Sequence, residues 1–231
     1  NIPQPKMVTI NEELNIKIPN ISLYKQVVNS SESYPDFIAY KYLGRKVTYK
    51  KFVKQIDKAA IAFKKLNVKK GDIVTICLPN IPESLIAFYA LNKLGAIANM
   101  LHPLSTEEEI KESLNSTKSK FLVMADMFYN KIKDIINSTE VKKVIFVSPS
   151  DSMKLLLKIG YRLININKYE RYPRNERFIS WNKFISSSNF NKIEISDNNG
   201  KDTPAVILHS GGTSGKPKNV VLQNRAFILG A

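Results

Sequence analysis

Cysteine is nearly absent: Cys77 stands alone among 231 residues. That excludes an internal disulfide and fits a reducing compartment. Cys77 lies inside an apolar run, the setting of an inert core thiol. Long apolar runs are lacking too, and nothing approaches the ~20 residues of a membrane span. Asn1 to Asn20 is polar and has no apolar core of the signal-peptide kind. These absences point to a soluble, cytoplasmic protein. The chain opens on Asn1 rather than Met, so an earlier start is expected. Histidine is scarce, with two residues. His102, before Pro103 at a strand end, lies where α/β sheets often place ligands, yet it has no acidic or cysteine partner beside it. A structural role is expected for it.

Acidic residues are also in short supply, with 20 Asp and Glu against 35 Lys and Arg and a net charge of +15. Such a balance raises the question of nucleic acid. The lysines, however, are spread along the whole chain beside Asn and Ile, with no aromatic-interleaved basic stripe, so no nucleic-acid partner is expected. A general positive field would instead draw in small anions or favour peripheral contact with an anionic membrane surface. What is present is the composition of a globular protein, 43% hydrophobic and 24% charged. The length suits one large domain or two small ones.

The most informative stretch is His209 to Asn219, reading His-Ser-Gly-Gly-Thr-Ser-Gly-Lys-Pro-Lys-Asn. Apolar runs flank it, Pro204 to Leu208 before and Val220 to Leu222 after, and both look like buried strands. Glycines let the backbone take positive φ and turn several N–H groups toward one point, a nest that binds anions. Ser210, Thr213 and Ser214 add hydroxyls and Lys218 adds a positive charge, so phosphate is the expected ligand. A merely flexible hairpin connection is the plainer alternative. A Walker P-loop is not expected: Pro217 follows Gly215-Lys216, Ser210 holds the place of the first glycine, and the loop leads into a strand rather than a helix N-terminus.

Elsewhere, strand-like and helix-like patterns alternate. Ser22 is placed to cap a short helix with Leu23, Val27 and Val28 inward. Residues 37–40 and 46–49, separated by Leu43-Gly44-Arg45, predict a hairpin. A helix should run from Thr48 or Tyr49 to about Leu66, burying Phe52, Ile56, Ala59, Ala60 and Phe63. Residues 73–78, 96–101, 120–125 and 144–147 read as strands. Helices are expected at 83–94 with Pro82 leading, and from the Thr106/Glu109 capping box to about Asn115. A further helix is expected near 127–137, with short ones at 152–158 and 179–187. Trp181 is expected to anchor packing, and 189–202 to be an exposed linker. The alternation predicts an α/β fold, a doubly wound and mostly parallel sheet with flanking helices.

Ser210-Gly211-Gly212-Thr213-Ser214-Gly215-Lys216-Pro217-Lys218 resembles the phosphate-binding signature of the adenylate-forming, AMP-binding ligases. That superfamily includes acyl-CoA synthetases, peptide-synthetase adenylation domains and luciferases. Its pattern is roughly Thr-Ser/Gly-Gly-Ser/Thr-Thr-Gly-x-Pro-Lys-Gly. The resemblance implies that Ser210, Gly211, Gly212, Thr213, Ser214 and Gly215 wrap the β- and γ-phosphates of ATP, with Lys218 as the signature lysine. Asn219 departs from the usual glycine and His209 from the usual aromatic. Neither is a phosphate-binding position, and Asn tolerates the left-handed region better than most. Val47-Thr48-Tyr49, Val68 to Asp72, Leu78 to Glu83 and Leu94-Gly95-Ala96 are similar to the family's Thr-Tyr, Lys-Gly-Asp, Pro-Asn-x-Pro-Glu and Gly-Ala elements. The likeness spans about Ser22 to Ala231, thinning between Ser148 and Asn199.

What the resemblance implies is an arm at 1–21 and, at 22–231, an incomplete large N-terminal domain of such a ligase. The whole enzyme would use ATP, Mg²⁺ and CoA to activate a carboxylic acid, expected to be a fatty acid, as an acyl adenylate and pass it to the thiol. Alternatives are an aryl, succinylbenzoate or carrier-protein ligase, or a non-catalytic nucleotide-phosphate-binding module. The Mg²⁺, CoA, adenine and acyl sites and the catalytic lysine of the small C-terminal domain are expected beyond Ala231. No residue here is therefore assigned to catalysis or metal binding, and the fragment alone is expected to be inactive.

Overall fold

Short β-branched runs separated by segments of helical period fold into alternating layers. The computed structural model describes residues 17–153, 159–160, 171–188, 195–210 and 218–228. Helix α1 (Leu23–Ser33) begins where Ser22 Oγ accepts from the Lys25 amide at 2.9 Å. Strands β1 (Ile38–Tyr42) and β2 (Arg45–Thr48) form an antiparallel hairpin. Its turn is the pair Leu43 and Gly44, at φ 42° and 74°. Two positive φ values match the twist of a two-residue hairpin, and Arg45 joins the strand instead of the turn. Helix α2 (Tyr49–Lys65), capped by Thr48, buries the expected Phe52, Ile56, Ala59, Ala60 and Phe63.

The main sheet uses β3 (Ile73–Cys77), β4 (Ile97–Met100), β5 (Phe121–Ala125), β6 (Lys143–Val147), β7 (Phe178–Ser180), β8 (Pro204–Ser210) and β9 (Lys218–Gln223). Their order is β7-β6-β5-β3-β4-β8-β9. Every neighbouring pair is parallel except β8 and β9, which are antiparallel. Helix α3 (Pro82–Leu94) connects β3 to β4 and ends on Gly95 at φ 68°. Helix α4 (Glu107–Ser116) carries the complete Thr106/Glu109 capping box. Helices α5 (Trp181–Ser186) and α6 (Arg225–Ile228) are short.

Strand alternation divides the interior between two cores. Val74, Ile76, Val123, Ala125, Ile145 and Val147 face one side, packed with α1, α2, α3 and Trp181 and Phe184 of α5. Cys77, Leu122, Met124, Val144 and Phe146 face the other, under Ile110 and Leu114 of α4. Helices on both faces make the sheet doubly wound, as the alternating sequence implied. Among the described residues, no helix is long and apolar enough to cross a membrane.

Three expectations need correction. In place of one helix over 127–137 there are two 3-10 segments, Asp126–Lys131 and Ile136–Ser138. The chain turns between them, and Ile132 and Ile136, with Tyr129 and Ile135 beside them, pack into the second core. The segment expected helical from Ile179 instead starts as β7, which pairs with β6 and is followed by α5 from Trp181. The described part of the 189–202 linker is tied down, because Asn199 is buried and donates to the Asn92 and Lys93 carbonyls at 3.2 and 3.0 Å. It thereby satisfies the orphan carbonyls at the end of α3. Residues 1–16 of the arm, 154–158 of the expected short helix and 189–194 lie outside the described residues.

Candidate functional site

Strand β8 rises beside β4, with Asn99 opposite Ile207, and its last residues are laddered to β9. Leu208 faces Val220, His209 faces Asn219 and Ser210 faces Lys218. The two strands expected on either side of the glycine-rich stretch are therefore present and paired. Their pairing places Ser210 and Lys218, two of the candidate phosphate ligands, directly across from each other. Gly211, Gly212, Thr213, Ser214 and Gly215 lie outside the described residues. Lys218 is exposed at the start of β9. One expectation fails: β9 is not a buried strand. Val220 and Val221 are exposed, because β8 is its neighbour in the sheet order, and none follows on its other side among the described strands.

Next to this strand pair a cavity of about 570 Å³ opens at the C-terminal ends of β3, β4 and β8. Ligand sites in open α/β sheets lie at this edge, and the volume is that of small-molecule pockets. Leu78, Met100, Leu101, Pro103 and Leu208 give it an apolar wall, while Asn80, His102, Glu112, Ser113, Ser116, His209 and Asn219 supply polar groups. Such a lining suits an organic ligand with both apolar and polar parts.

His209 is the best-anchored of these groups. Its Nε2 lies 2.7 Å from Asn99 Oδ1 and 3.2 Å from Ser113 Oγ, and the Asn219 side chain bonds the same ring. Burial lowers the imidazole below its ordinary value, more than the Asn219 bond raises it, because desolvation disfavours the charged ring. His102, by contrast, closes its own turn: Nδ1 accepts from the Leu104 amide at 3.2 Å, and the His102 carbonyl accepts from Cys77 Sγ at 3.5 Å. The ring is also exposed and lines the cavity, so the turn contact does not decide between a structural and a ligand-binding role. Burial pushes the Cys77 thiol up to about 12, which fits an inert core group. Among the described residues, no cluster of three or more His, Cys, Asp or Glu is placed to hold a metal.

The contribution of Asn99, Ser113 and Thr75 to this neighbourhood was not anticipated. A signal did exist. Thr75 and Asn99 interrupt otherwise apolar strands, Ser113 falls on the inward face of α4 with Ile110 and Leu114, and Thr117 is buried just past its end. Polar residues at buried positions require partners, although the sequence does not say which.

The sequence profile of the AMP-binding enzymes matches residues 27–230. This chain belongs to the AMP-binding enzyme family. The long-chain-fatty-acid–CoA ligase of Bacillus subtilis is 24% identical over 214 residues, 92% of this chain and 38% of the relative. The acetyl-coenzyme A synthetase of Penicillium chrysogenum is 26% identical over 189 residues, covering 81% and 27%. Two crystal structures show the same fold. One is an anthranilate CoA ligase in complex with anthranoyl-AMP, at a TM-score of 0.74 and 16% identity over 93% of this chain and 36% of that one. The other is a long-chain-fatty-acid-CoA ligase from Archaeoglobus fulgidus, at 0.71 and 20% over 93% and 39%. This member of the AMP-binding enzyme family thus spans well under half the length of these relatives.

Proposed function

We propose that the chain is the nucleotide-phosphate-binding portion of an ATP-dependent acid–thiol ligase, which joins a carboxylic acid to AMP and then transfers the acyl group to CoA. Residues 22–231 are its partial N-terminal domain. The observation that carries this reading is the β8/β9 bracket in a chain of the AMP-binding family, which sets Ser210 opposite Lys218 one pair beyond His209 and Asn219 of the cavity lining.

The chemistry follows from charge. A carboxylate attacking the α-phosphate of ATP brings two anions together and expels a third, pyrophosphate. Backbone N–H groups of Gly211, Gly212 and Gly215, hydroxyls of Ser210, Thr213 and Ser214, and the Lys218 ammonium would spread the charge of the β- and γ-phosphates and hold the leaving group in line. Mg²⁺, when bound, would neutralise further phosphate charge. A fatty acid is the proposed substrate, in keeping with the named activity of the Bacillus relative. Acetate, aryl acids and carrier-protein thiols are the competing members of the same class.

The test is acid-dependent ATP–pyrophosphate exchange by the complete protein over a panel of short, long and aromatic acids. Exchange with long-chain acids supports the reading, and exchange with aryl acids alone reassigns the substrate. Tight nucleotide binding with no exchange for any acid would leave a non-catalytic binding module. Replacing Thr213, Ser214 and Lys218 together is expected to reduce exchange by at least about a hundredfold, the usual scale for removing transition-state charge stabilisation.

A further inference from the structure

Five polar side chains, Thr75, Asn99, Ser113, Thr117 and Ser119, are buried between β3, β4 and α4. Buried polar groups persist when hydrogen-bonded, and these bonds set one another's direction. The series ends on a main-chain carbonyl. Thr117 Oγ1 is 2.7 Å from the Ser113 carbonyl, which can only accept, so the Thr117 hydrogen points there. Ser119 Oγ, 2.8 Å from Thr117 Oγ1, must then donate to it. Thr75 Oγ1, 2.7 Å from Ser119 Oγ, donates in turn and is left to accept. It accepts from Asn99 Nδ2 at 2.8 Å, and that nitrogen gives its other hydrogen to Ser113 Oγ at 2.9 Å. Asn99 therefore shows its oxygen to His209 Nε2 at 2.7 Å. An amide oxygen accepts and cannot donate, so the proton of the neutral ring sits on Nε2.

The same ring joins four elements. Asn99 belongs to β4, Ser113 to α4 and His209 to β8, and Asn219, directly across the ladder on β9, bonds the ring and reaches Ser116 Oγ at 3.4 Å. This junction lies one pair before Ser210 and Lys218. We propose that His209 is a positioning residue for phosphate binding: the Nε2-protonated ring, held by Asn99, fixes the register and seat of the two strand ends that carry Ser210 and Lys218. The proposal rests on the ligase reading for its kinetic consequence, but the ring's tautomer does not depend on that reading. The groups facing the ring from β4, α4 and β9 are the neutral Asn99, Ser113 and Asn219. The titratable groups that share its cavity are Glu109 and Glu112 of α4 and His102.

The experiment uses the complete protein, with ¹⁵N-labelled histidine spectra and exchange kinetics. At neutral pH His209 is expected as the neutral Nε2–H tautomer. H209F should raise KM for ATP about tenfold while KM for the acid stays within about twofold. H209Q, whose amide N–H can reach Asn99 Oδ1, should recover most of that loss. If H209F does not fold, N219G removes the cross-strand contact from an exposed position and should raise KM for ATP by about threefold. An Nδ1–H tautomer overturns the proposal, as does an unchanged KM for ATP or an equal rise in both KM values. Should the wild-type protein show no exchange with any acid, the ligase reading falls. The tautomer and the hydrogen-exchange protection of the Asn219 amide then decide. The Nε2–H form with protection lost in H209F supports the positioning role, and protection kept in H209F overturns it.

Discussion

Asp126 follows directly on β5, and burial together with nearby Asp151 pushes its carboxyl up to about 6. Between the ordinary aspartate value and that point, the folded chain holds a proton that the unfolded chain has released. Stability therefore falls as pH rises through this window, and the full cost is present above it. D126N should add roughly 2 kcal/mol above pH 7 and almost nothing near pH 3. Urea midpoints at the two pH values check this, and an equal gain at both would contradict it. Glu83, also raised by burial and bonded by Ser152, should leave a residual slope of the same sign. Cys77 offers a second test at this scale. With its thiol near 12, its thiolate fraction at pH 7 is about 10⁻⁵. A disulfide reagent should then modify native protein at the rate of unfolding and denatured protein at once.

Helix ends decide much of the local geometry. Gly95 closes α3 at φ 68°, and a Cβ there would meet the Asn199 side chain and lie 2.9 Å from Lys70 Cγ. G95A thus combines left-handed strain with displacement of the residue that caps the α3 carbonyls. It is expected to cost about 2–3 kcal/mol, read from the denaturant midpoint. At the start of α4, Thr106 accepts from the Glu109 amide and Glu109 accepts from the Thr106 amide, at 3.2 and 2.8 Å. T106A breaks this reciprocal pair and should cost about 1 kcal/mol. T106S should restore most of it. Because α4 carries Ser113 and Ser116 toward the cavity, a milder rise in KM for ATP should accompany T106A.

At the scale of the molecule, β9 is the last of the described strands in the sheet and holds apolar side chains in solvent, Val220 and Val221 at 42% and 53% exposure. Unpaired, apolar strand edges invite pairing with other chains. The 231-residue chain by itself should therefore associate as concentration rises. V221K should reduce that association without lowering the thermal midpoint, which light scattering and calorimetry can follow. The same chain alone is expected to show no acid-dependent pyrophosphate exchange, since a ligase of this kind would need further binding groups. Exchange by the isolated chain would contradict this.

Sequence alone settled what local physics governs. Period-two and period-3.6 patterns located the strands and most helices. Ser22, Thr48 and the Thr106/Glu109 pair marked helix starts, Gly95 marked a stop, and the apolar runs on either side of the glycine–hydroxyl stretch marked β8 and β9. Its misjudgements came where spacing was ambiguous, as over 127–137, or where a loop residue such as Asn199 is held by a distant helix end. Tertiary structure alone decided that β8 lies beside β4, and so that His209 meets Asn99, 110 residues away in the chain. A buried Asn or Thr needs a partner wherever it falls, and a one-dimensional pattern shows the need. Which partner answers it depends on strand order, and strand order is settled only when all the packed layers form together.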